Sequence, residues 1–121
     1  HQVHVYDIAG NEIGLISQRL FTFLPTFDIS VGGRPCGSIR KEFTFFKPTY
    51  SIEYGGWQCD GDFLSWNYSV TAGSRLVANI AKQLLSWGDT YTLDISDPGD
   101  EIMALMLVIA IDAANCSQNN N

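Results

Sequence analysis

The sequence predicts a mainly β fold in which an antiparallel sheet curls around one apolar C-terminal helix. Three observations predict it: apolar and polar residues alternate through the first three quarters of the chain, glycine-bearing turns separate the alternating segments, and an uninterrupted apolar run lies near the C-terminus. Alternation with a period of two is typical of half-buried strands, whereas a run that is apolar on every side favours a buried helix. With 121 residues, the chain is long enough for one core and too short for two.

About eight strands are predicted, because segments of strand-forming composition lie between successive turn signals. Their approximate bounds are 2–7, 13–21, 26–31, 36–46, 49–55, 63–70, 75–85 and 89–96. The turns are predicted at the glycine-bearing sequences Ala9-Gly10-Asn11, Gly32-Gly33-Arg34-Pro35, Asp60-Gly61-Asp62, Ala72-Gly73-Ser74 and Trp87-Gly88-Asp89. Since no helix separates the strands, an antiparallel sandwich or barrel is favoured over a parallel sheet.

The C-terminal helix is predicted to begin at Pro98. Asp97 supplies an N-cap carboxylate, and the fixed backbone torsion of Pro98 suits the first helical position. From Ile102 to Ile111 the sequence has no polar residue, so a membrane and a protein interior are the two alternatives. Spanning a bilayer takes about 20 apolar residues, roughly twice the length of this run. We therefore expect the strands to enclose the helix, with Asp112 as a hydrogen-bonded carboxylate at the end of the barrel.

Composition argues against several classes of function. Thirteen acidic and seven basic residues give a formal charge of −6, which repels nucleic acid. Cys36, Cys59 and Cys116 are odd in number and have no paired spacing, so we expect reduced thiols and a cytoplasmic location. His1 and His4 lie on opposite faces of an extended segment, so no metal site is expected. No serine or cysteine lies in a nucleophile-elbow pattern, and we expect no catalysis and no cofactor.

Short fragments along nearly the whole chain follow a characteristic order before the terminal apolar helix. They are Val5-Tyr6-Asp7, Gly10-Asn11-Glu12-Ile13-Gly14, Gly37-Ser38-Ile39, Trp66, Val77-Ala78-Asn79-Ile80-Ala81-Lys82, Asp89-Thr90-Tyr91 and Ala110-Ile111-Asp112-Ala113-Ala114. In this order they resemble the LURP-one-related (YxjI-like) family of the Tubby C-terminal superfamily. The resemblance implies a twelve-stranded antiparallel barrel threaded by the C-terminal helix.

The predicted strands are about four fewer than the resemblance implies, which suggests that the chain lacks an N-terminal segment of its parent. The predicted domain is therefore an incomplete Tubby-like barrel over residues 1–116, N-terminally truncated and followed by a disordered polar tail at 117–121. A missing segment leaves an open sheet edge, and open edges pair with other strands. We expect a homo-oligomer to form through that edge.

The candidate binding site is a basic cluster formed by Arg34, Arg40, Lys41 and Lys47. Tubby proteins, which the chain resembles, hold phosphoinositide headgroups with lysine and arginine, so the resemblance implies membrane phospholipid headgroups as partners. However, Arg40 and Lys41 point to opposite faces of a strand, and Glu42 lies beside them. The structural alternative is a set of solvated charges on an edge strand that discourage aggregation.

The predicted function is a non-enzymatic binding or scaffold domain, with weak binding of phosphoinositide or phospholipid headgroups as its most specific form. The alternative is a small-molecule carrier or enzyme that uses a cavity between the barrel and the central helix. Trp57, Trp66 and Trp87 could line such a cavity or fill it. A third alternative, a structural interaction module, predicts an exposed apolar patch instead.

Overall fold

The structure, a computed structural model, describes residues 2–44, 49–62, 67–85 and 88–119. Within these ranges the chain forms nine strands and one α-helix. The strands are β1 (Gln2–Tyr6), β2 (Glu12–Gln18), β3 (Thr26–Val31), β4 (Arg34–Lys41), β5 (Tyr50–Glu53), β6 (Trp57–Asp62), β7 (Asn67–Ala72), β8 (Arg75–Leu85) and β9 (Gly88–Ile95). A 3₁₀ turn at Pro98–Asp100 leads into the helix α1 (Glu101–Asn119).

The strands form two antiparallel sheets in which each strand pairs with its neighbours in sequence. β1 to β5 make the N-terminal sheet and β6 to β9 make the C-terminal sheet, each in chain order. The sheets adjoin at β5 and β6, and α1 packs against strands of both. Among the described strands no barrel is closed, because β1 and β9 are the outer strands of their sheets. The prediction of a mainly β fold, built as an incomplete barrel around a C-terminal helix, is confirmed.

The predicted turn at Asp60-Gly61-Asp62 is wrong, because these residues lie inside β6. Gly61 pairs with Tyr68 of β7 and has a φ of 141°, and a Cβ at this position would lie 2.7 Å from the Asn67 carbonyl oxygen. The glycine therefore permits close approach of two strands rather than a reversal of the chain. The reversal lies at Gly55 and Gly56, both of positive φ, within and just after the predicted strand 49–55.

Two predicted strands extend three or more residues past the C-terminal ends of the observed ones. The predicted strand 13–21 corresponds to β2, which ends at Gln18, and the predicted strand 36–46 corresponds to β4, which ends at Lys41. Residues 45 and 46 lie outside the described part of the chain. Phe21, inside the predicted strand 13–21, has a φ of 61°, which an extended strand does not allow. Part of the predicted strand 63–70 lies outside the described residues.

The start of the helix agrees with the sequence. The Asp97 carboxylate accepts a hydrogen bond of 2.9 Å from the Gly99 amide, and Pro98 occupies the first position of the 3₁₀ turn. An N-cap of this kind satisfies an amide that the helix leaves without a partner. At the other end α1 continues to Asn119, into the region where the sequence predicts a polar tail from residue 117.

Most of the apolar run of α1 is buried, although the strands do not enclose it completely. The large side chains that are fully buried come from both sheets and from the helix, and they are Ile16, Phe27, Ile29, Ile39, Val70, Val77, Ile80, Met106, Leu107, Val108 and Ile111. Beside β9, however, Ile102 is 46% exposed and Leu105 is partly exposed. The expectation of a helix covered on every side is thus corrected along this stripe. In the described part of the chain, no helix is both long and apolar enough to cross a bilayer.

Candidate functional site

A small polar pocket lies on the outer face of the N-terminal sheet, away from α1. Its volume is about 70 Å³, and it is lined by Arg19, Thr26, Ser38, Arg40, Ser51 and Glu53. A pocket of roughly 10–15 Å³ holds one water molecule, so this pocket has room for a small polyatomic group. We refer to these six residues as the outer pocket.

The strand register brings these side chains together. Side chains alternate between the two faces of a strand, so the residues next to the buried Phe27 and Ile39 and the partly buried Ile52 point outward. Neighbouring strands then align the outward positions in two rows, one of Thr26, Arg40 and Ser51 and the other of Asp28, Ser38 and Glu53. Arg19 follows β2 directly, and its backbone amide donates to the Thr26 carbonyl oxygen at 2.9 Å.

Each arginine of the outer pocket is held by a neighbouring carboxylate. Arg19 donates to Asp28 through Nε and Nη2, with a shortest distance of 2.8 Å, and Arg40 forms an ion pair of 2.8 Å with Glu42. The hydrogen bond and the charge of Asp28 raise the pKa of Arg19. A hydrogen bond from Ser51, followed by those from Arg40, lowers the pKa of the Glu42 carboxyl. The Arg19 guanidinium and the Glu42 carboxylate are therefore charged at neutral pH.

These ion pairs orient the guanidinium groups without occupying all of their donors. Both arginine side chains are about half exposed, and exposed ion pairs of this kind contribute only about 0–1 kcal/mol. A planar guanidinium has five N–H donors and binds phosphate or carboxylate oxygens in pairs. The outer pocket thus offers two such groups and the Ser38 hydroxyl to an anion, because the Thr26 hydroxyl donates to the Leu24 carbonyl oxygen and the Ser51 hydroxyl donates to Glu42. The Glu53 carboxylate is the one opposing charge among the lining residues.

Only Arg40 of the predicted basic cluster lies in the outer pocket. Arg34 lies at the other end of β4, about 20 Å away at the usual rise of a strand. Lys41 points to the inner face, as the alternation predicts, and Nζ lies 3.4 Å from Asn115 Oδ1 of α1. Burial lowers the pKa of Lys41. Lys47 lies outside the described residues.

Arg19 is the cation that the sequence analysis missed. It lies in the segment that was predicted to be a strand, and no local pattern relates it to Arg40, which is 21 positions away. The two residues share a pocket because the loop between β2 and β3 returns the chain in a register that places Thr26 opposite Arg40. No alternation of polar residues marks this stretch, because Ser17, Gln18 and Arg19 are consecutive polar residues, so the face of Arg19 could not be predicted without the register.

Comparisons with known proteins agree with this architecture. The family model described as LURP-one-related matches residues 1–112, which is most of the chain. The chain belongs to the LURP-one-related family. The uncharacterized protein YxjI of Bacillus subtilis (strain 168) is 33% identical over 106 residues. The match covers 88% of this chain and 65% of that relative, so the chain spans just under two thirds of the relative's length. No solved structure matches the chain.

This LURP-one-related domain has a second group of polar side chains inside the fold, at the C-terminal part of α1. The Tyr50 hydroxyl donates to Asn115 Oδ1, which also lies near Lys41, and the Tyr91 hydroxyl donates to Asp112 Oδ1 at 2.9 Å. Burial, followed by the charge of Asp112, raises the pKa of Tyr50. The prediction that Asp112 is hydrogen-bonded is confirmed.

An open hollow lies where the two sheets adjoin, and it bears on the carrier alternative. Its volume is about 390 Å³, and residues of β5 and β6 with the turn between them line it. Trp57 borders the hollow but is only 3% exposed, and its ring packs edge-on against Tyr54 at 4.8 Å between centroids. Trp57 therefore fills the core more than it lines a cavity. Trp66 and Trp87 lie outside the described residues.

The described residues contain no group of three or more histidine, cysteine, aspartate or glutamate side chains that could hold a metal ion. His4 instead contacts Glu12 across β1 and β2. His1, the other histidine of the chain, lies outside the described part.

Proposed function

We propose that this chain is a non-enzymatic binding domain whose outer pocket holds the phosphate group of a phospholipid headgroup. The observation that carries the proposal is the presence of Arg19 and Arg40 in one pocket with the hydroxyl-bearing residues Thr26, Ser38 and Ser51. Charge-assisted hydrogen bonds from arginine to phosphate are roughly twice as strong as those between neutral groups. A phosphate can share the guanidinium donors with the partly exposed Asp28 and Glu42, whose ion pairs with the two arginines leave other N–H groups for it.

The distribution of charge supports a weak and oriented interaction with an anionic surface. The whole chain has a formal charge of −6, so most of its surface is repelled by anionic lipid. At the outer pocket the outward charges are those of Arg19 and Arg40 against the three carboxylates Asp28, Glu42 and Glu53, because Lys41 points to the inner face. Attraction to an anionic bilayer is therefore short-ranged: it comes from direct hydrogen bonds of the two guanidinium groups, which orient the domain.

A cytoplasmic location belongs to the same proposal. Cys36 is an exposed free thiol, and Cys59 is also free. Exposed free thiols persist in reducing compartments, and the anionic phosphoinositides lie on the cytoplasmic leaflet of membranes.

The proposal is tested by sedimentation of the full chain with phosphatidylcholine vesicles that contain a phosphatidylinositol phosphate. We expect the R19A/R40A variant to bind at least tenfold more weakly, because it removes both bidentate phosphate donors. The matched control is R75A, since Arg75 is 51% exposed and pairs with Asp100 at 2.8 Å on the C-terminal sheet. Equal binding by R19A/R40A and the wild type, or equal losses in R19A/R40A and R75A, would exclude the outer pocket as the site.

A further inference from the structure

A cluster of exposed apolar side chains lies at the end of the N-terminal sheet next to the outer pocket. In the loop between β2 and β3, Phe21 and Phe23 are fully exposed and Leu20 is 74% exposed. Phe43, which follows β4, is 69% exposed. The two segments are neighbours, because the Lys41 amide donates to the Pro25 carbonyl oxygen at 2.9 Å. We call these four side chains the apolar tip.

Hydrogen bonds fix the base of the loop between β2 and β3, whereas the side chains at its end are exposed to solvent. Arg19 and Thr26 are joined by a backbone hydrogen bond, and the Thr26 hydroxyl donates to the Leu24 carbonyl oxygen at 3.0 Å. Phe21 has a φ of 61°, an unfavourable conformation for a bulky residue. The fold gains no burial of the Phe21 ring in return, since the ring is fully exposed.

We propose that the apolar tip inserts into the boundary between the headgroups and acyl chains of a phospholipid bilayer. The proposal rests on the proposed function of the outer pocket and gives the orientation of the bound domain. Leu20 directly follows Arg19, so the cations of the pocket lie at the base of the tip. When phenylalanine and leucine side chains enter the boundary by about 5–10 Å, cations at their base reach the depth of the lipid phosphates.

A bilayer fits the shape of the tip better than a folded partner does. The four side chains of the tip are each at least 69% exposed, so a protein partner would need a surface that accepts all of them, whereas the headgroup region adapts to any arrangement of apolar side chains. Phenylalanine and leucine on the apolar side with cations beside them are the composition that interfacial segments use. The combination of apolar area and charge also explains how a domain of net negative charge can stay on an anionic surface.

The test compares the F21S/F23S variant of the full chain with the wild type on two ligands. The first is a phosphatidylcholine vesicle containing a phosphatidylinositol phosphate, and the second is soluble inositol trisphosphate, which has the headgroup without a bilayer. We expect F21S/F23S to bind the vesicles at least tenfold more weakly and to bind inositol trisphosphate as the wild type does. The matched control is I8S, because Ile8 is fully exposed at the opposite end of β2.

The outcomes separate this inference from the proposed function. If F21S/F23S binds vesicles as the wild type does, or if I8S loses as much vesicle binding as F21S/F23S, the proposed insertion of the tip is wrong and the proposed binding in the outer pocket is unaffected. Wild-type vesicle binding by R19A/R40A together with a loss in F21S/F23S overturns the pocket and retains insertion. Failure of the wild type to bind vesicles overturns both. If the wild type is a dimer that F21S/F23S converts to monomers, and vesicle binding is unchanged, the tip serves self-association and does not insert into a bilayer.

Discussion

At the scale of single residues, Glu53 gives a prediction about the proposed binding of anions. It lines the outer pocket, and after the hydrogen bond and the charge of Asp28 the charge of Glu53 also raises the pKa of Arg19. Replacement by glutamine keeps the size of the side chain and removes the one negative charge among the lining residues. We expect E53Q to bind phosphoinositide vesicles more tightly, by about threefold to tenfold, in the same sedimentation measurement. Unfolding cannot produce such a gain, so unchanged or weaker binding by folded E53Q would argue against the pocket.

The buried thiol of Cys59 gives a prediction for alkaline pH. Burial raises the pKa of Cys59 from 9.0 to about 12, so the folded chain keeps a proton that the unfolded chain loses. The resulting stability is complete below pH 9 and is lost as the pH rises from 9 towards 12. At pH 10.5 the expected loss is about 2 kcal/mol relative to pH 7. Urea unfolding at the two pH values measures it.

The C59A variant isolates this contribution from those of other groups. Burial also raises the pKa of Tyr50 and Tyr68, which adds a loss in the same direction, whereas the lowered pKa of Lys41 acts in the opposite direction. C59A keeps those residues, so its stability should fall less between pH 7 and pH 10.5. An equal fall in both proteins would show that Cys59 is not the group responsible.

At the scale of elements, β2 and α1 approach closely because residue 14 is glycine. A Cβ at Gly14 would lie 2.4 Å from Sδ and Cε of Met106. We expect G14A to lower the free energy of unfolding by about 1–3 kcal/mol, as overpacking usually does. In an M106A background the same substitution should cost less than about 1 kcal/mol, because the opposing atoms are gone. Chemical denaturation of the four proteins of this cycle measures the difference, and equal costs in both backgrounds would contradict the contact.

Some secondary-structure elements of this chain could be predicted from the sequence and others could not. The N-cap at Asp97 and the bounds of β8 at 75–85 were predicted correctly because each depends on residues close in sequence. The strand β6 was missed because Asp-Gly-Asp has the composition of a turn, while Gly61 is needed for contact with Tyr68 across the sheet. Composition alone does not distinguish these two uses of glycine.

At the scale of the whole molecule, the site was predicted less well than the fold. The face on which Arg40 and Lys41 lie follows from alternation, and the structure agrees. Arg40 and Arg19 lie in the same pocket only because of which residues of β3 and β4 lie opposite each other. Strand register is a property of the assembled sheet, so a linear cluster of cations was a poor guide to the pocket.

The open side of the fold is also a property of the whole molecule. β1 and β9 are the outer strands of the described sheets, and Leu93 and Ile95 of β9 border a groove of about 330 Å³ beside Ile102 of α1. Outer strands and apolar grooves favour pairing with further chain segments. Homo-oligomer formation through an open edge therefore stays a prediction.

The most direct test is to map, by NMR, the backbone amides whose chemical shifts change when inositol trisphosphate is added to the full chain. Binding in the outer pocket predicts saturable changes concentrated at residues 19–26, 38–42 and 51–53, with those changes lost in R19A/R40A and kept in R75A. Changes concentrated at the hollow around Trp57, or at the polar group around Asn115, would contradict the proposed site. The absence of any saturable change would contradict headgroup binding itself.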